Sequence, residues 1–252
     1  MTDVLYEHPL NEKVRTYLRL EHLLRQVQYH AQASEAADQS ARQQAFFTSF
    51  FALLDVLERS DVRPDLLKDI ERCEQALVTW SKHPSVSNDA LQQMLQKAVR
   101  LQSELNRSGK LGSTFKEDAF LAPIRQRFAM PGGACAFDVP QLHYWCHQPQ
   151  AEQSLSQQKW LDQIELSRQS IDFVLTFARE RGQFQQLEAV NGFYQNTTDQ
   201  YVVLRLKYDS ALGVYPTVSG YKYRFAIRFM QLSDANGRLA SEKTIPFALA
   251  CC

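Results

Sequence analysis

The chain lacks an apolar run long enough to cross a bilayer. Its most apolar stretch, residues 45–57, is interrupted by Thr48 and Ser49 and is shorter than the roughly 20 residues that a membrane-spanning helix needs. The first residues also lack the basic start and apolar stretch of a signal peptide. We therefore expect a cytoplasmic protein that has no membrane among its partners.

An excess of charge of one sign is also absent. The 252 residues include 28 basic and 28 acidic side chains, so the formal net charge is zero. This balance argues against non-specific nucleic-acid binding by the whole molecule, although it is compatible with a local basic patch. Glycine and proline are sparse, at nine residues each, and 44% of the residues are hydrophobic. Such a composition is typical of a folded globular protein.

Cysteine is present but lacks a pattern. The five cysteines are scattered, with no Cys-x-x-Cys pair, which is typical of reduced thiols in a cytosolic protein. His143 and His147 are four residues apart and flank Cys146, and two histidines at this spacing can hold one metal ion. No further ligands lie nearby at a familiar spacing. We therefore expect no metal and no cofactor.

The common enzyme motifs are missing as well. The sequence contains no GxxxxGK phosphate loop, no GxGxxG, no GxSxG elbow and no HExxH. No arrangement of a nucleophile with a base emerges from the remaining polar residues. The sequence therefore favours a protein that binds a partner over an enzyme.

What the chain does have is a clear hydrophobic period. From about residue 9 to 181 apolar residues recur with the helical period, with Asn11 placed to cap the first helix and Pro64 to open the third. Near Gly182 the period changes to two, which predicts strands.

This order predicts an α+β fold, with an N-terminal all-helical domain followed by a small antiparallel β domain. We expect the domains to cover residues 9–181 and 182–252, and the opening stretch 3–8 could add a strand to the second. In one predicted strand the core face comprises Tyr221, Tyr223, Phe225, Ile227 and Phe229.

Basic residues share faces of two predicted elements. Arg15, Arg19 and His22 lie on one side of the first helix. Lys222, Arg224 and Arg228 lie opposite the core face of the aromatic strand, and residues 220–230 contain no acid. A solvated polar face is one interpretation of such groups. Neighbouring cations on one strand repel each other, however, and this favours an anionic partner for the strand.

Six stretches spread over the whole chain together resemble a known family, and the combination is more specific than any one stretch. They are VLYEHPLNEKVRTYLRLE (4–21), LLDVLERSDVRPDLLKDIER (53–72), FAMPGGACAFDVPQLHYW (128–145), NGFYQ (191–195), SGYKYRFAIRFM (219–230) and the terminal Cys251-Cys252. Together they resemble the ZapD family of bacterial cell-division proteins. Segments 31–44 and 81–110 are much less similar.

The resemblance implies a cytoplasmic homodimer that is recruited to the mid-cell division ring. It implies binding of the C-terminal tail of FtsZ, bundling of FtsZ protofilaments, stabilisation of the ring and no catalysis. Carried over by motif, the FtsZ-binding residues are Arg15, Arg19, Arg59, Arg224 and Arg228, with Lys222, Lys116 and His143 as further candidates. They form either one patch, a cleft for the tail, or two patches that let one chain touch two filaments.

Two other functions stay open. One is a helical adaptor for a different acidic protein, and the other is a nucleic-acid-binding protein that stacks bases on tyrosines of the basic strand. The zero net charge and the expected burial of Tyr221 and Tyr223 weigh against nucleic acid. Arg168 and Arg179 have no basic neighbours on their helix face, so we expect both to tolerate alanine.

Overall fold

The computed structural model describes residues 3–32, 39–81, 88–197, 201–221, 223–233 and 237–252. The chain divides into two compact units, Met1–Leu18 with Leu175–Cys252 and Arg19–Val174. The expected bounds 9–181 and 182–252 follow the hydrophobic period rather than compactness, and they stay a prediction.

Helices fill the N-terminal part of the chain, and most strands follow them. The helices are α1 (Glu12–Ala31), α2 (Gln39–Arg59), α3 (Arg63–Trp80), α4 (Asn88–Arg107), α5 (Leu121–Phe128), α6 (Pro140–Cys146) and α7 (Gln150–Glu180). The strands are β1 (Asp3–Pro9), β2 (Gln185–Ala189), β3 (Phe193–Thr197), β4 (Val203–Asp209), β5 (Tyr215–Tyr221), β6 (Arg224–Gln231), β7 (Leu239–Ala240) and β8 (Ile245–Cys251). The predicted α+β fold is confirmed. Within the described ranges, none of the helices combines the length and apolarity needed to cross a membrane.

Local sequence signals account for several helix ends. The side-chain oxygen of Asn11 accepts a hydrogen bond from the amide of Val14 at 2.8 Å, which confirms the predicted cap of α1. Pro64 lies in the first turn of α3. At α5 the carboxylate of Asp118 accepts from the amides of Phe120 and Leu121, at 2.9 and 2.7 Å.

Aromatic rings form the centre of the unit Arg19–Val174, the helical unit. Phe46, Phe47 and Phe50 of α2 are fully buried. Phe47 packs edge-on against Trp145 of α6 and Trp160 of α7, with ring centroids 5.3 and 5.8 Å apart. Such contacts add to the free energy gained by burying the rings, so α6 and α7 are held firmly against α2.

The strands form two antiparallel sheets. The first, sheet A, has the order β1-β4-β8-β2, and the second, sheet B, has the order β3-β6-β5 with β7 also paired to β6. The opening stretch of the chain forms β1, which pairs with β4 from Asp3↔Asp209 to Pro9↔Val203.

The apolar faces of the two sheets share one core. Its buried members are Ala189, Leu204, Leu206, Val214, Phe225, Ile227, Phe229, Ile245, Phe247 and Leu249. The rings of Phe229 in β6 and Phe247 in β8 lie 5.4 Å apart across it. Because side chains alternate along a strand, the other face of β6 is left for polar residues.

The aromatic strand is shorter than its pattern predicts. Strand β5 ends at Tyr221, which pairs with Arg224 at the beginning of β6, and Tyr223 lies in the connecting turn. Tyr223 is 68% exposed, so its predicted place on the core face is wrong. One of the two tyrosines whose burial weighed against base stacking is therefore on the surface.

A small ion cluster joins β1, β4 and the end of α7. Arg179 donates two hydrogen bonds to the Glu7 carboxylate, at 2.9 and 2.6 Å, and Arg205 donates a third at 2.9 Å. The three side chains are only 15% (Arg179), 17% (Glu7) and 19% (Arg205) exposed. These contacts argue against the expectation that Arg179 tolerates alanine, because its loss would break a largely buried pair.

Candidate partner-binding surface

Two arginines project from the solvent side of β6. Phe225, Ile227 and Phe229 are buried, whereas Arg224 and Arg228 are exposed. The alternation predicted for this part of the strand is therefore observed. The outer face of sheet B carries both guanidinium groups, four residues apart on a rigid strand.

The described strands around these arginines supply no compensating charge. As the structure describes them, the four strands of sheet B contain no acidic residue, and Arg224 and Arg228 are their charged residues. Within the described ranges neither arginine makes an ion pair. An exposed cation with no fixed counter-charge is available for a carboxylate of another molecule.

The two arginines have different neighbours. The guanidinium carbon of Arg228 lies 5.3 Å from the ring centroid of Phe193 in β3, which is a cation–π contact. Arg224 lines a groove of about 830 Å³ together with Thr197 of β3 and Ser219 of β5. On the outer face of sheet B, Arg228 is therefore held by a cation–π contact, and Arg224 faces a groove.

The basic residues of α1 differ in whether they form an ion pair. Arg15 is paired at 3.0 Å with Glu12 one turn before it, and the side chain of Glu12 is 84% exposed. Exposed pairs of this kind contribute little, so a partner's carboxylate could replace Glu12. Burial and the nearby charge of Arg15 lower the pKa of His8 in β1. Arg19 is exposed and has no ion pair within the described part of the chain.

Two further candidates lie within the unit Arg19–Val174. Arg59 ends α2 and is exposed, and Lys116 lies in the short 3₁₀ turn Ser113–Glu117. Lys116 lines a groove of about 580 Å³ and is close enough to Glu58 to lower the pKa of that carboxyl, although the hydrogen bonds from Arg125 lower it more.

Two other arginines of this unit are bonded within the fold. Arg125 donates to both Asp55 and Glu58, which fastens α5 to α2. Arg63 donates to the carbonyl oxygens of Leu105 and Ser108, at 3.3 and 3.1 Å, at the end of α4. Sequence spacing did not separate these structural cations from the free ones, because their partners are distant along the chain.

His143 is exposed on α6, and its ring lies against that of His147, with centroids 4.3 Å apart. One ring nitrogen of His147 is held 2.7 Å from the carbonyl oxygen of His143. Burial raises the pKa of Cys146 to about 11, which keeps it a neutral thiol rather than a thiolate ligand. Among the residues that the structure describes, no group of three potential ligands is placed to hold a metal ion.

The structure places the candidates on several elements. The fold brings Arg224 and Arg228 together on one strand face, and the helix spacing does the same for Arg15 and Arg19. Within the described ranges, no hydrogen bond, ion pair or ring contact joins Arg15 to either arginine of β6. Lys222 lies outside the described residues.

Comparison with known proteins gives a consistent result. The sequence model of one family, described as ZapD, cell division protein, matches residues 18–228. The chain is 40% identical over 251 residues to the cell division protein ZapD of Klebsiella pneumoniae, covering 100% of this chain and 99% of the relative.

Other curated relatives agree with that match. The cell division protein ZapD of Serratia proteamaculans is 40% identical over 249 residues, which is 99% of this chain and 97% of the relative. The protein of the same name from Escherichia coli is 38% identical over 251 residues, which is 100% and 99% of the two chains. These names indicate a role in cell division.

Proposed function

This chain belongs to the ZapD family of cell division proteins, and from that premise we propose that it binds the C-terminal tail of FtsZ and bundles FtsZ protofilaments. Bundling would stabilise the division ring, to which the protein would be recruited at mid-cell in the cytoplasm. The role in cell division follows from the family, and the molecular activity is the proposal.

One observation carries the proposal. Sheet B presents Arg224 and Arg228 on its outer face, without an acidic residue in any of its described strands. Guanidinium groups form short, charge-assisted hydrogen bonds with carboxylates, and these are about twice as strong as bonds between neutral groups. A carboxylate-bearing tail would supply the negative charge that the described strands of this face lack.

The remaining candidates would extend the contact or provide a second one. Arg15, Arg19, Arg59, Lys116 and His143 are each exposed or partly exposed. Together with Lys222, we propose them as further FtsZ contacts.

The direct test is sedimentation of FtsZ polymers with and without this protein. We expect the protein to appear in the pellet and the polymers to pellet as bundles at low centrifugal force. A DNA gel shift tests the alternative that exposed Tyr223 and the arginines of β6 bind nucleic acid. Absence from the FtsZ pellet together with a shifted DNA band would replace the proposed function by the alternative.

Bundling also sets a requirement for valency. A binder with one site can decorate filaments but cannot join them, so two FtsZ sites are needed in each particle. We expect a homodimer, with an interface on the helical surface, because sheet B uses its apolar face for the core. Light scattering coupled to size exclusion should give about twice the chain mass of 29.0 kDa. A strict monomer would contradict bundling by dimerisation.

A further inference from the structure

Strand β5 has main-chain groups that point away from its only paired neighbour in the described sheet, β6. The amide of Phe229 in β6 donates to the carbonyl oxygen of Gly192 at 2.8 Å. The carbonyl oxygen of Phe229 accepts from the amide of Ser241 at 2.9 Å. Both groups of Phe229 therefore point away from β5. In an antiparallel pair this orientation recurs at every second residue, so it also holds for Ile227 and Phe225.

The register then assigns the outer edge of β5. Val218 is opposite Ile227 and Gly220 is opposite Phe225, so the amide and carbonyl groups of Val218 and Gly220 point away from β6. Within the described ranges these groups have no hydrogen-bond partner. Ser219 and Gly220 are exposed, and Pro216, at the next outward position, has no amide hydrogen to offer.

The other edges of the two sheets are less suited to an acidic strand. In β3 the amide of Thr197 donates to the side chain of Asn196 at 2.8 Å, and the amide of Phe193 donates to the carbonyl oxygen of Val190 at 3.0 Å. The edge strands of sheet A, β1 and β2, contain acidic residues, and β5 contains none. Strand β5 thus combines an open edge with a basic neighbour.

We propose that β5 captures an acidic peptide in extended form, as an added strand that pairs with the main chain of Val218 and Gly220. This inference rests on the proposed function and names its binding mode: the occupant is the C-terminal tail of FtsZ. Main-chain hydrogen bonds to a sheet edge give affinity, and side chains on alternate positions give specificity.

The side chains of sheet B support this binding mode. On the outer face Arg228 is opposite Thr217, and Ser219 lies two positions further along β5. Small Thr217 and Ser219 separate β6 from the added strand there, so the long side chain of Arg228 can reach over them. Residues four apart in a strand are separated by about 13 Å, so carboxylates four positions apart in the tail would match the two arginines.

Hydrogen exchange on the full-length protein tests the proposal. With saturating FtsZ tail peptide, its binding verified by fluorescence anisotropy, we expect the amides of Val218 and Gly220 to exchange at least about tenfold more slowly. The amide of Gln195, which points outward from the opposite edge of sheet B, should keep its rate. If the peptide binds and Val218 and Gly220 exchange as before, strand addition is wrong while the proposed function stands.

A main-chain substitution gives a second test. Replacing the amide of Val218 by an ester removes one outward hydrogen and leaves the side chain intact. We expect about three- to tenfold weaker peptide binding, the effect of losing one hydrogen bond. The same replacement at Gln195 is the matched control and should leave affinity unchanged. Equal affinities of both esters and the parent would overturn strand addition, and failure of the parent to bind the peptide would overturn the proposed function itself.

Discussion

Replacing Arg224 or Arg228 by glutamate should weaken binding to FtsZ polymers by at least about a hundredfold. Loss of one charge-assisted contact in a partly desolvated groove typically costs a few kcal/mol, or about ten- to a thousandfold in affinity. Reversal of the charge adds repulsion to that loss. The measurement is co-sedimentation of each variant with FtsZ polymers, with circular dichroism to verify folding.

Both variants should fold, because the two side chains are exposed and point away from the core of the sheets. Arg238 is an exposed arginine next to β7, and its replacement by glutamate is the matched control. This variant should bundle FtsZ like the parent. Raising the salt concentration should weaken binding of the parent protein to FtsZ, since exposed charges are screened beyond about 8 Å at physiological ionic strength. If both folded variants bundle FtsZ like the parent, the outer face of sheet B is not the binding surface, and Arg15, Arg19 and Arg59 are the next candidates.

Much of the fold could be predicted because it depends on local patterns. The change of hydrophobic period near Gly182 marks the change from helices to strands, and the cap of α1 by Asn11 follows from residue type alone. The outward placement of Arg224 and Arg228 likewise follows from alternation with three buried residues of β6.

Tyr223 shows where alternation fails. The predicted strand continues its period through the junction of β5 and β6, and the junction contains none of the Asn-Gly or Asp-Gly pairs that mark a tight hairpin. Nothing local therefore separates one long strand from two paired ones. The open edge of β5 was missed for the same reason, because an edge exists only once the two strands are distinguished.

Arg179 shows a second limit, which concerns distance along the chain. Its carboxylate partner, Glu7, is 172 residues away, so spacing within α7 gives no sign of the pair. The same holds for Arg125 with Asp55, 70 residues apart. Arg125 and Arg179 have acidic partners far along the chain, and only the structure separates them from Arg224 and Arg228, which make no ion pair within the described residues.

Replacing Glu7 by glutamine should lower the free energy of unfolding by about 2–4 kcal/mol. The substitution removes the carboxylate that Arg179 and Arg205 share, and it leaves two cations side by side at a site where each is less than 20% exposed. Glutamine can accept a hydrogen bond from one arginine but cannot neutralise either. Urea denaturation followed by circular dichroism measures the change.

Two further variants identify the cause of that loss. Glu165 is paired with Arg168 at a more exposed site, where the side chains are 40% and 34% exposed, so Glu165→Gln should change stability by less than about 1 kcal/mol. Combining Glu7→Gln with Arg205→Gln should recover part of the lost stability, because it removes the repulsion between the two arginines. A Glu7→Gln protein that unfolds at the same urea concentration as the parent would mean that this cluster contributes nothing to the fold, and Arg179 would then tolerate substitution, as its sequence neighbourhood predicts.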